Sequence, residues 1–317
     1  MNRCPITYRP CGDGERYSRA GLRLLSPNLE QLRDFPYDAQ QQRREAVIRA
    51  AKLSIQGVQP KLSVRLSAKS GLFEIVDRGG RYIIKPQHDV YPNLPENEGV
   101  TMHLAGLCGI ETPPSGLVRG ADGSWSYFIR RFDRVGQAGK LSVEDFAQLA
   151  GLSRETKYDF SMERLVKILD ACCTFPAVEK VQLFKRCLFN FIVGNEDMHV
   201  KNFSLITRSG KVELAPAYDF LATTVAFLAL GQRLEQIEEV ALPLQGKKHG
   251  LARNVWVGYF AGERLALPDK IVEKVLSDLQ AAVPLWKNCL AGSFLPAEQQ
   301  TLYARLLDQR LATLRLA

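Results

Sequence analysis

A polar loop, followed by a hairpin and a second acidic position, is the feature that most constrains this chain. The loop covers residues 194–202 (GNEDMHVKN), and a strand-like hairpin over 203–214 turns at Arg208-Ser209-Gly210. Two antiparallel strands joined by a tight turn begin and end at the same edge of a sheet. We therefore expect Asn202, at the end of the loop, to lie close to Asp219, which follows the hairpin.

The residue types in this loop indicate phosphoryl transfer. Amide and carboxylate oxygens suit magnesium, which prefers hard oxygen ligands and is shared with nucleotide phosphates. We predict that Asn202 and Asp219 hold Mg²⁺ and that Asp197 accepts the proton of an attacking hydroxyl. The alternative is a pair of turns capped by polar side chains, which Asp and Asn favour in many proteins. The spacing, with an amide five residues after the first acid and a second acid beyond a hairpin, favours the catalytic interpretation.

Composition excludes several classes of protein. The chain is 46% hydrophobic and 24% charged, and it has no run of about eighteen apolar residues that would predict a membrane span. The sequence starts without the apolar stretch of a secretion signal, so we expect a cytoplasmic protein. The net charge of +8 predicts an anionic partner. Acidic residues lie among the basic ones, however, so direct reading of DNA is a minor option.

The seven cysteines show no paired metal-ligand spacing, and we interpret them as buried thiols. Cys4 and Cys11, with His88, form a weak zinc candidate.

The pattern of hydrophobic residues changes along the chain. Residues 62–66, 73–76 and 81–85 alternate between apolar and polar and are separated by glycine turns, which predicts an antiparallel meander. Residues 115–119 and 125–131 predict two more strands.

Helical periodicity is found elsewhere. The predicted helices cover residues 39–51, 96–108, 143–150, 162–173, 178–193, 269–282 and 297–316. This order predicts an α+β, bilobal, protein-kinase-like fold with a β-rich lobe at 1–132 and an all-helical lobe at 133–317 that carries the catalytic loop. A nucleotide would bind in the cleft between the lobes.

Lys85 ends a predicted strand and is a natural phosphate clamp. Glu96 and Glu98 lie in the helix that follows, and we choose Glu98 as the ion-pair partner that completes a kinase site. A solvated lysine at a strand end is the alternative. Residues 128–132 would present backbone groups to the adenine edge, or else form an edge strand with a charged face.

Residues 54–61 (SIQGVQPK) lie directly before the first strand, where a kinase places the loop that covers the phosphates. A simple turn is the alternative, because the segment has one glycine where protein kinases have three.

Several motifs in the same order resemble the HipA serine/threonine kinase toxins, and the resemblance covers almost the whole chain. The matching segments are 54–61, 94–98 (LPENE), 131–134 (RFDR), 144–148 (EDFAQ), 197–202 (DMHVKN) and 218–219 (YD). The resemblance implies a kinase-like fold that uses ATP and Mg²⁺, with Asp197 catalytic and Asn202 and Asp219 on the metal. It also implies autophosphorylation at Ser54. The residues predicted to bind ATP are Gly57, Val58, Gln59, Lys61, Lys85, Arg130, Phe132, His199 and Asp219.

The resemblance also implies partners. HipA proteins pair with HipB, a helix-turn-helix antitoxin, and phosphorylate aminoacyl-tRNA synthetases. Few residues precede Ser54, so the chain is closer to the short HipT kinases. For these the resemblance implies a separate HipS-like antitoxin and tryptophanyl-tRNA synthetase as the target. Gln56 stands where some relatives carry a second loop serine, so one autophosphorylation site is the simplest expectation.

Two other functions stay open at this point. The Gly-x-x-Asp-x-His-x-x-Asn pattern of the loop also resembles phosphoinositide kinases, so the substrate could be a small molecule or a lipid. A catalytically silent subunit of a repressor complex is the second alternative. The presence of Lys85, Asp197, Asn202 and Asp219 argues against a silent subunit.

Overall fold

The computed structural model describes residues 2–49, 59–136, 139–153 and 155–316. The chain divides into two compact units. Unit 1 comprises Met1–His103, Pro113–Gly139 and Ala291–Pro296. Unit 2 comprises Leu104–Thr112, Lys140–Leu290 and Ala297–Ala317. The predicted Ser54, Gly57 and Val58 lie outside the described residues.

A five-stranded antiparallel sheet forms the centre of unit 1. Its strands are β1 (Leu62–Ser67), β2 (Leu72–Ile75), β3 (Tyr82–Lys85), β4 (Ser115–Arg119) and β5 (Trp125–Arg130), in the order β2-β1-β3-β5-β4. The predicted strands are therefore confirmed. Alternate side chains point to one face of a strand, and Val64, Phe73 and Phe128 are almost completely buried in the core of this unit.

The predicted meander order is wrong, because β3 pairs with β1 and not with β2. The backbone crosses β1 closely at Gly80, where an added Cβ would lie 2.0 Å from the Ser63 Oγ atom. Glycine is the residue that permits this approach, and the Gly79-Gly80 pair therefore carries the chain across β1 to its far side.

Helices and short strands complete the two units. The helices are α1 (Arg19–Leu25), α2 (Ala39–Arg49), α3 (Leu94–Leu107), α4 (Phe146–Leu149), α5 (Met162–Cys172), α6 (Pro176–Val193), α7 (Thr223–Ala229), α8 (Asp269–Ala291) and α9 (Ala297–Leu314). The remaining strands are β6 (Arg134–Val135), β7 (Gly139–Lys140), β8 (Val143–Asp145), β9 (Ser204–Arg208) and β10 (Lys211–Leu214). A π-helix covers Val255–Arg264, and 3₁₀ turns cover Val200–Asn202 and Leu234–Gln236.

The expectation that residues 133–317 are all-helical is wrong, because unit 2 contains the three-stranded sheet β10-β9-β8. The predicted helix at 143–150 is β8 followed by the single turn α4. Asp145 separates them, because its side chain accepts a hydrogen bond of 2.8 Å from the Gln148 backbone amide, and its own backbone amide donates one of 2.9 Å to the Gln148 side-chain oxygen. This capping box starts a helix at residue 146 and leaves 143–145 free to pair with β9.

The core of unit 2 surrounds α6. The ring of Phe189 lies 5.6 Å from that of Phe220 and 5.7 Å from that of Trp286, and Phe191 lies 5.2 Å from Trp256. Helix α8 continues past Pro284, beyond its predicted end at Ala282, because buried Trp286 extends its apolar face. Within the described residues, every helix is too short or too polar to cross a membrane.

Candidate active site

The loop begins where α6 is forced to end. Gly194 has a φ of 73°, in the left-handed region. A Cβ there would lie 2.5 Å from Leu306 Cδ2 and 2.9 Å from Thr224 Cβ. Both the backbone angle and the space therefore require glycine. The Asn195 amide then donates to the Asn190 carbonyl at 2.9 Å, and the chain leaves the helix at this point.

Asn195 ties the loop to the segment of Asp219. Its side-chain nitrogen, Nδ2, donates to the Asn190 side-chain oxygen at 2.7 Å and to the Asp219 carbonyl at 3.5 Å. Its side-chain oxygen accepts from the Asp197 amide at 3.3 Å. Asn195 is almost fully buried. One side chain therefore holds both acidic positions, and spacing along the sequence had not revealed this role.

The hairpin expected between Asn202 and Asp219 is present. Strands β9 and β10 pair in the register Lys211↔Arg208 to Leu214↔Leu205. At its open end, the hydroxyl of half-buried Tyr218 donates to the Lys201 carbonyl at 3.0 Å and contacts Ser204. The residues that flank the hairpin are thus linked by a direct hydrogen bond. Sequence reasoning predicted this proximity from the hairpin alone.

Asp219 adopts a backbone conformation that few residues tolerate. Its φ is 55°, in the left-handed region, where aspartate is one of the less disfavoured non-glycine residues. Such strain costs about 1–3 kcal/mol and persists only where the surroundings enforce it. The bond from Asn195 to the Asp219 carbonyl is one such constraint.

Asp197 lies on the accessible side of the loop, with 46% of its side chain exposed. Its carboxylate accepts a hydrogen bond from the Tyr158 hydroxyl, and its carbonyl accepts one of 3.1 Å from the Asn202 side chain. The neighbouring Glu196 is different, because burial, followed by the charge of Asp197, raises its pKa to about 7.

His199 is buried beside Asp197. Its Nε2 atom lies 2.7 Å from the Lys157 ammonium and 4.0 Å from an Asp197 oxygen. Burial lowers the pKa of His199; Asp197 opposes this shift and Lys157 reinforces it. The Nδ1 atom is also buried and meets no hydrogen-bond partner among the described residues.

The donor set fits a hard divalent cation that is shared with a polyphosphate. Because the Asn202 nitrogen donates to the Asp197 carbonyl, its side-chain oxygen remains for a metal. The carboxylate of Asp219 would supply the second oxygen. Within the described ranges, no three His, Cys, Asp or Glu side chains form a metal-binding group. A site with two protein ligands therefore depends on water and phosphate to complete the shell, as magnesium sites do.

Unit 1 holds Lys85 and Glu98 together as a buried ion pair. The Lys85 Nζ to Glu98 Oε1 distance is 2.6 Å, and the side chains are 5% and 2% exposed. Lys85 also lies 5.7 Å from the centre of the Tyr127 ring. Glu96, the other candidate partner, instead accepts from Gln87 at 2.8 Å, and burial raises its pKa.

The remaining predicted nucleotide residues of unit 1 lie at two places. Gln59 and Lys61 are half-buried directly before β1. Phe132 is half-buried after the end of β5. The Arg130 guanidinium bonds to the Leu25 carbonyl and, at 2.9 Å, to the Tyr82 hydroxyl, so its side chain is already engaged within unit 1.

The fold is that of solved kinases. The HipA structure from a Shewanella oneidensis complex of HipA, HipB and operator DNA superposes with a TM-score of 0.65, covering 90% of this chain and 71% of that chain at 22% identity. CtkA, a proinflammatory kinase of Helicobacter pylori, superposes with a TM-score of 0.58, covering 84% of this chain and 93% of that chain at 15% identity. The mixed α/β architecture is therefore kinase-like.

The family follows from the sequence. The model of the HipA-like C-terminal domain matches residues 53–286, and the chain belongs to that family. A predicted kinase of Haemophilus influenzae is 27% identical over 346 aligned residues, which cover 100% of this chain and 98% of that protein.

Two further relatives are longer proteins. A predicted kinase of Sinorhizobium fredii, Y4dM, is 34% identical over 205 residues, 60% of this chain and 50% of the relative. The serine/threonine-protein kinase toxin HipA of Shewanella oneidensis is 27% identical over 254 residues, 71% of this chain and 58% of the relative. The chain thus matches between half and three fifths of these two proteins.

Proposed function

We propose that this chain is an ATP- and Mg²⁺-dependent protein serine/threonine kinase that acts as the toxin of a type II toxin-antitoxin system. One observation carries the proposal: Asn195 ties the backbone of Asp197 to that of Asp219. This occurs in a chain of the HipA-like family whose named relatives are kinases.

The chemistry assigns a task to each group. A serine hydroxyl oxygen forms a bond to the γ-phosphorus of ATP, the bond to the bridging oxygen breaks, ADP leaves, and Asp197 takes the hydroxyl proton. Asn202 and Asp219 would hold Mg²⁺, which offsets charge on the phosphate oxygens when it is bound. Glu98 holds the ammonium of Lys85, and we assign that ammonium to a phosphate contact.

Phosphoryl transfer is tested with radiolabelled ATP and lysate from the host cell. We expect Asp197→Ala and Asp219→Ala to reduce labelling by at least about 10²-fold, because each loses a group that acts in the transition state. Asp159→Ala, at an exposed position of the same unit, is the matched control and should label as the wild type does. Full labelling by the Asp197 variant would refute the assignment.

The substrate that we propose is an aminoacyl-tRNA synthetase, and in particular tryptophanyl-tRNA synthetase, as expected for a HipT-like kinase. Mass spectrometry of the labelled lysate identifies the modified protein and its residue. A panel of small-molecule and lipid acceptors tests the rival kinase class. An ATP-consumption assay tests the rival that is catalytically silent.

Regulation is proposed from the family resemblance. We place autophosphorylation at Ser54, where a phosphate adds about two negative charges to a segment assigned to ATP. We expect a single phosphopeptide that Ser54→Ala abolishes and Asp197→Ala prevents. HipB-like and HipS-like antitoxins are the proposed partners. The solved HipA of Shewanella oneidensis is in a complex with HipB and operator DNA, and co-expression followed by pull-down tests each partner here.

A further inference from the structure

A short turn before α5 reaches the two side chains at the centre of the catalytic loop. The turn is fixed from within, because the Ser153 hydroxyl donates to the Glu155 carboxylate at 2.7 Å and the Asp159 amide donates to the Thr156 carbonyl at 2.9 Å. Lys157 and Tyr158 lie within this turn. Neither residue belongs to the motifs from which the site was predicted.

Tyr158 restrains the catalytic carboxylate. Its hydroxyl donates to Oδ1 of Asp197, and its ring packs edge-on against His199, with the ring centres 5.1 Å apart and an interplanar angle of 80°. Among the described residues, no donor reaches Oδ2 of Asp197. The tyrosine therefore engages one carboxylate oxygen and leaves the other for an acceptor hydroxyl.

Lys157 fixes the hydrogen on His199. A lysine ammonium has donors and no acceptor, so across the 2.7 Å contact Lys157 donates and Nε2 of His199 accepts. The neutral imidazole must then carry its hydrogen on Nδ1, the buried atom that meets no partner among the described residues. The histidine therefore offers an N–H donor that an oxygen or nitrogen of a bound ligand would satisfy.

We propose that Lys157 and Tyr158 are positioning residues for phosphoryl transfer: Tyr158 orients Asp197, and Lys157 selects the tautomer in which His199 donates from Nδ1. The proposal rests on the proposed kinase function. Orientation of a base is worth a large part of a rate enhancement, because a small displacement removes the reactive geometry. The two residues act on different side chains, so their loss should affect different kinetic constants.

Tyr158→Phe tests the first half of the proposal. It retains the ring that packs on His199 and removes the hydroxyl, so we expect kcat for substrate phosphorylation to fall on the order of tenfold with an unchanged KM for ATP. Tyr259→Phe is the matched control, because Tyr259 donates to the carboxylate of Glu163 at 3.1 Å in the same unit. It should keep the wild-type kcat. Equal thermal midpoints for the two variants exclude a folding defect.

Three outcomes of this experiment overturn the first half. An unchanged kcat means that Asp197 does not need the hydroxyl. An increased rate means that Tyr158 occupies the place of the acceptor hydroxyl and competes with it. A tenfold loss that Tyr259→Phe shares means that the effect is structural. In each case the wild type is active, so these results differ from failure of the proposed function, in which the wild type transfers no phosphoryl group.

Lys157→Met tests the second half without any need for catalysis. In ¹⁵N-histidine-labelled full-length protein, with the His199 signal assigned through His199→Asn, we expect the wild type to show a protonated Nδ1 and an unprotonated Nε2. The Lys157 variant should lose this preference, and its KM for ATP should rise several-fold. Lys248→Met, which removes a 2.9 Å ion pair with Glu238, is the control and should leave His199 unchanged. A wild-type His199 with its hydrogen on Nε2 would overturn the assignment, as would identical spectra in the Lys157 variant.

Discussion

The buried pair Lys85–Glu98 gives a stability prediction whose size follows from the structure. Replacing Glu98 with Gln keeps the shape of the side chain and removes the negative charge that lies 2.6 Å from the Lys85 ammonium, at a site where the lysine side chain is 5% exposed. Removing one partner of a buried pair typically costs about 3–5 kcal/mol, because the remaining charge stays desolvated. We expect the free energy of opening of unit 1 to fall by that amount.

A surface pair in the same sheet provides the matched control. Arg65 and Glu74 lie 2.9 Å apart on β1 and β2, but their side chains are 62% and 44% exposed. The distance is close to the 2.6 Å of the buried pair, so burial and not separation decides the difference. Exposed pairs contribute about 0–1 kcal/mol, and Glu74→Gln should therefore lower the free energy of opening by less than about 1 kcal/mol.

Hydrogen exchange measured by mass spectrometry is the assay, because peptides from β1, β3 and β5 report opening of unit 1 alone. A double variant, Lys85→Met with Glu98→Leu, should recover most of the loss, since it removes both charges. Equal small losses for Glu98→Gln and Glu74→Gln would refute the reasoning. So would a double variant as unstable as the single one.

Three further predictions concern the predicted catalytic loop and Asp219. Gly194→Ala should lower the free energy of unfolding, measured by urea denaturation, by about 1–3 kcal/mol, because the added methyl group overlaps Leu306 and the positive φ disfavours alanine. An unchanged urea midpoint would contradict this. The stability of the wild type should decline between pH 4.5 and about 7, because in this range Glu196 holds a proton in the folded state that it has lost in the unfolded state. Glu196→Gln should abolish this decline. Thermal melts across the range test the prediction, and a decline that persists in the variant would contradict it. Asp219→Gly should raise the thermal midpoint by relieving the positive φ while abolishing phosphoryl transfer, and retained transfer would exclude Asp219 from the metal site.

Local patterns predicted most of the secondary structure, because periodicity is a property of neighbours in sequence. The five strands of unit 1 and helices α5, α6 and α9 lie within a few residues of their predicted bounds. The prediction of a helix at 143–150 failed because it also rested on local periodicity alone. Its short mixture of apolar and polar residues fits either a strand or a helix, and the hydrogen bonds between Asp145 and Gln148, together with pairing to β9, decide the outcome.

The order of the sheet in unit 1 was beyond local reasoning. Glycine at 79 and 80 signals a turn, but it does not say whether the next strand pairs with β2 or passes across to β1. The order depends on the close approach of the Gly80 backbone to Ser63, which lies 17 positions earlier in the sequence. Turn residues therefore predict where a strand ends, but they do not predict which strand it pairs with in the sheet.

Local sequence patterns also predicted only part of the candidate site. The prediction of Asp197, Asn202 and Asp219 as site residues came from their spacing, and the structure contains the hairpin that was expected between Asn202 and Asp219. Lys157 and Tyr158 were missed because they lie 42 and 39 positions from the side chains that they contact. The sequence alone does not distinguish a Lys-Tyr pair that contacts a site from one that is simply exposed to solvent in a polar turn.

Side-chain amides hold the backbone of the predicted catalytic loop in place. The side chain of Asn195 links Asn190 in α6 to both acidic positions, and the side chain of Asn202 closes the loop on the Asp197 carbonyl. At Asp197 and Asp219 these bonds are made to backbone atoms and not to the carboxylates. The positive φ of Asp219 is retained because this network opposes its relaxation. Asn195, which is not among the proposed metal ligands, thus supports the backbone on which that site would depend, and replacing it should disturb both acidic positions at once.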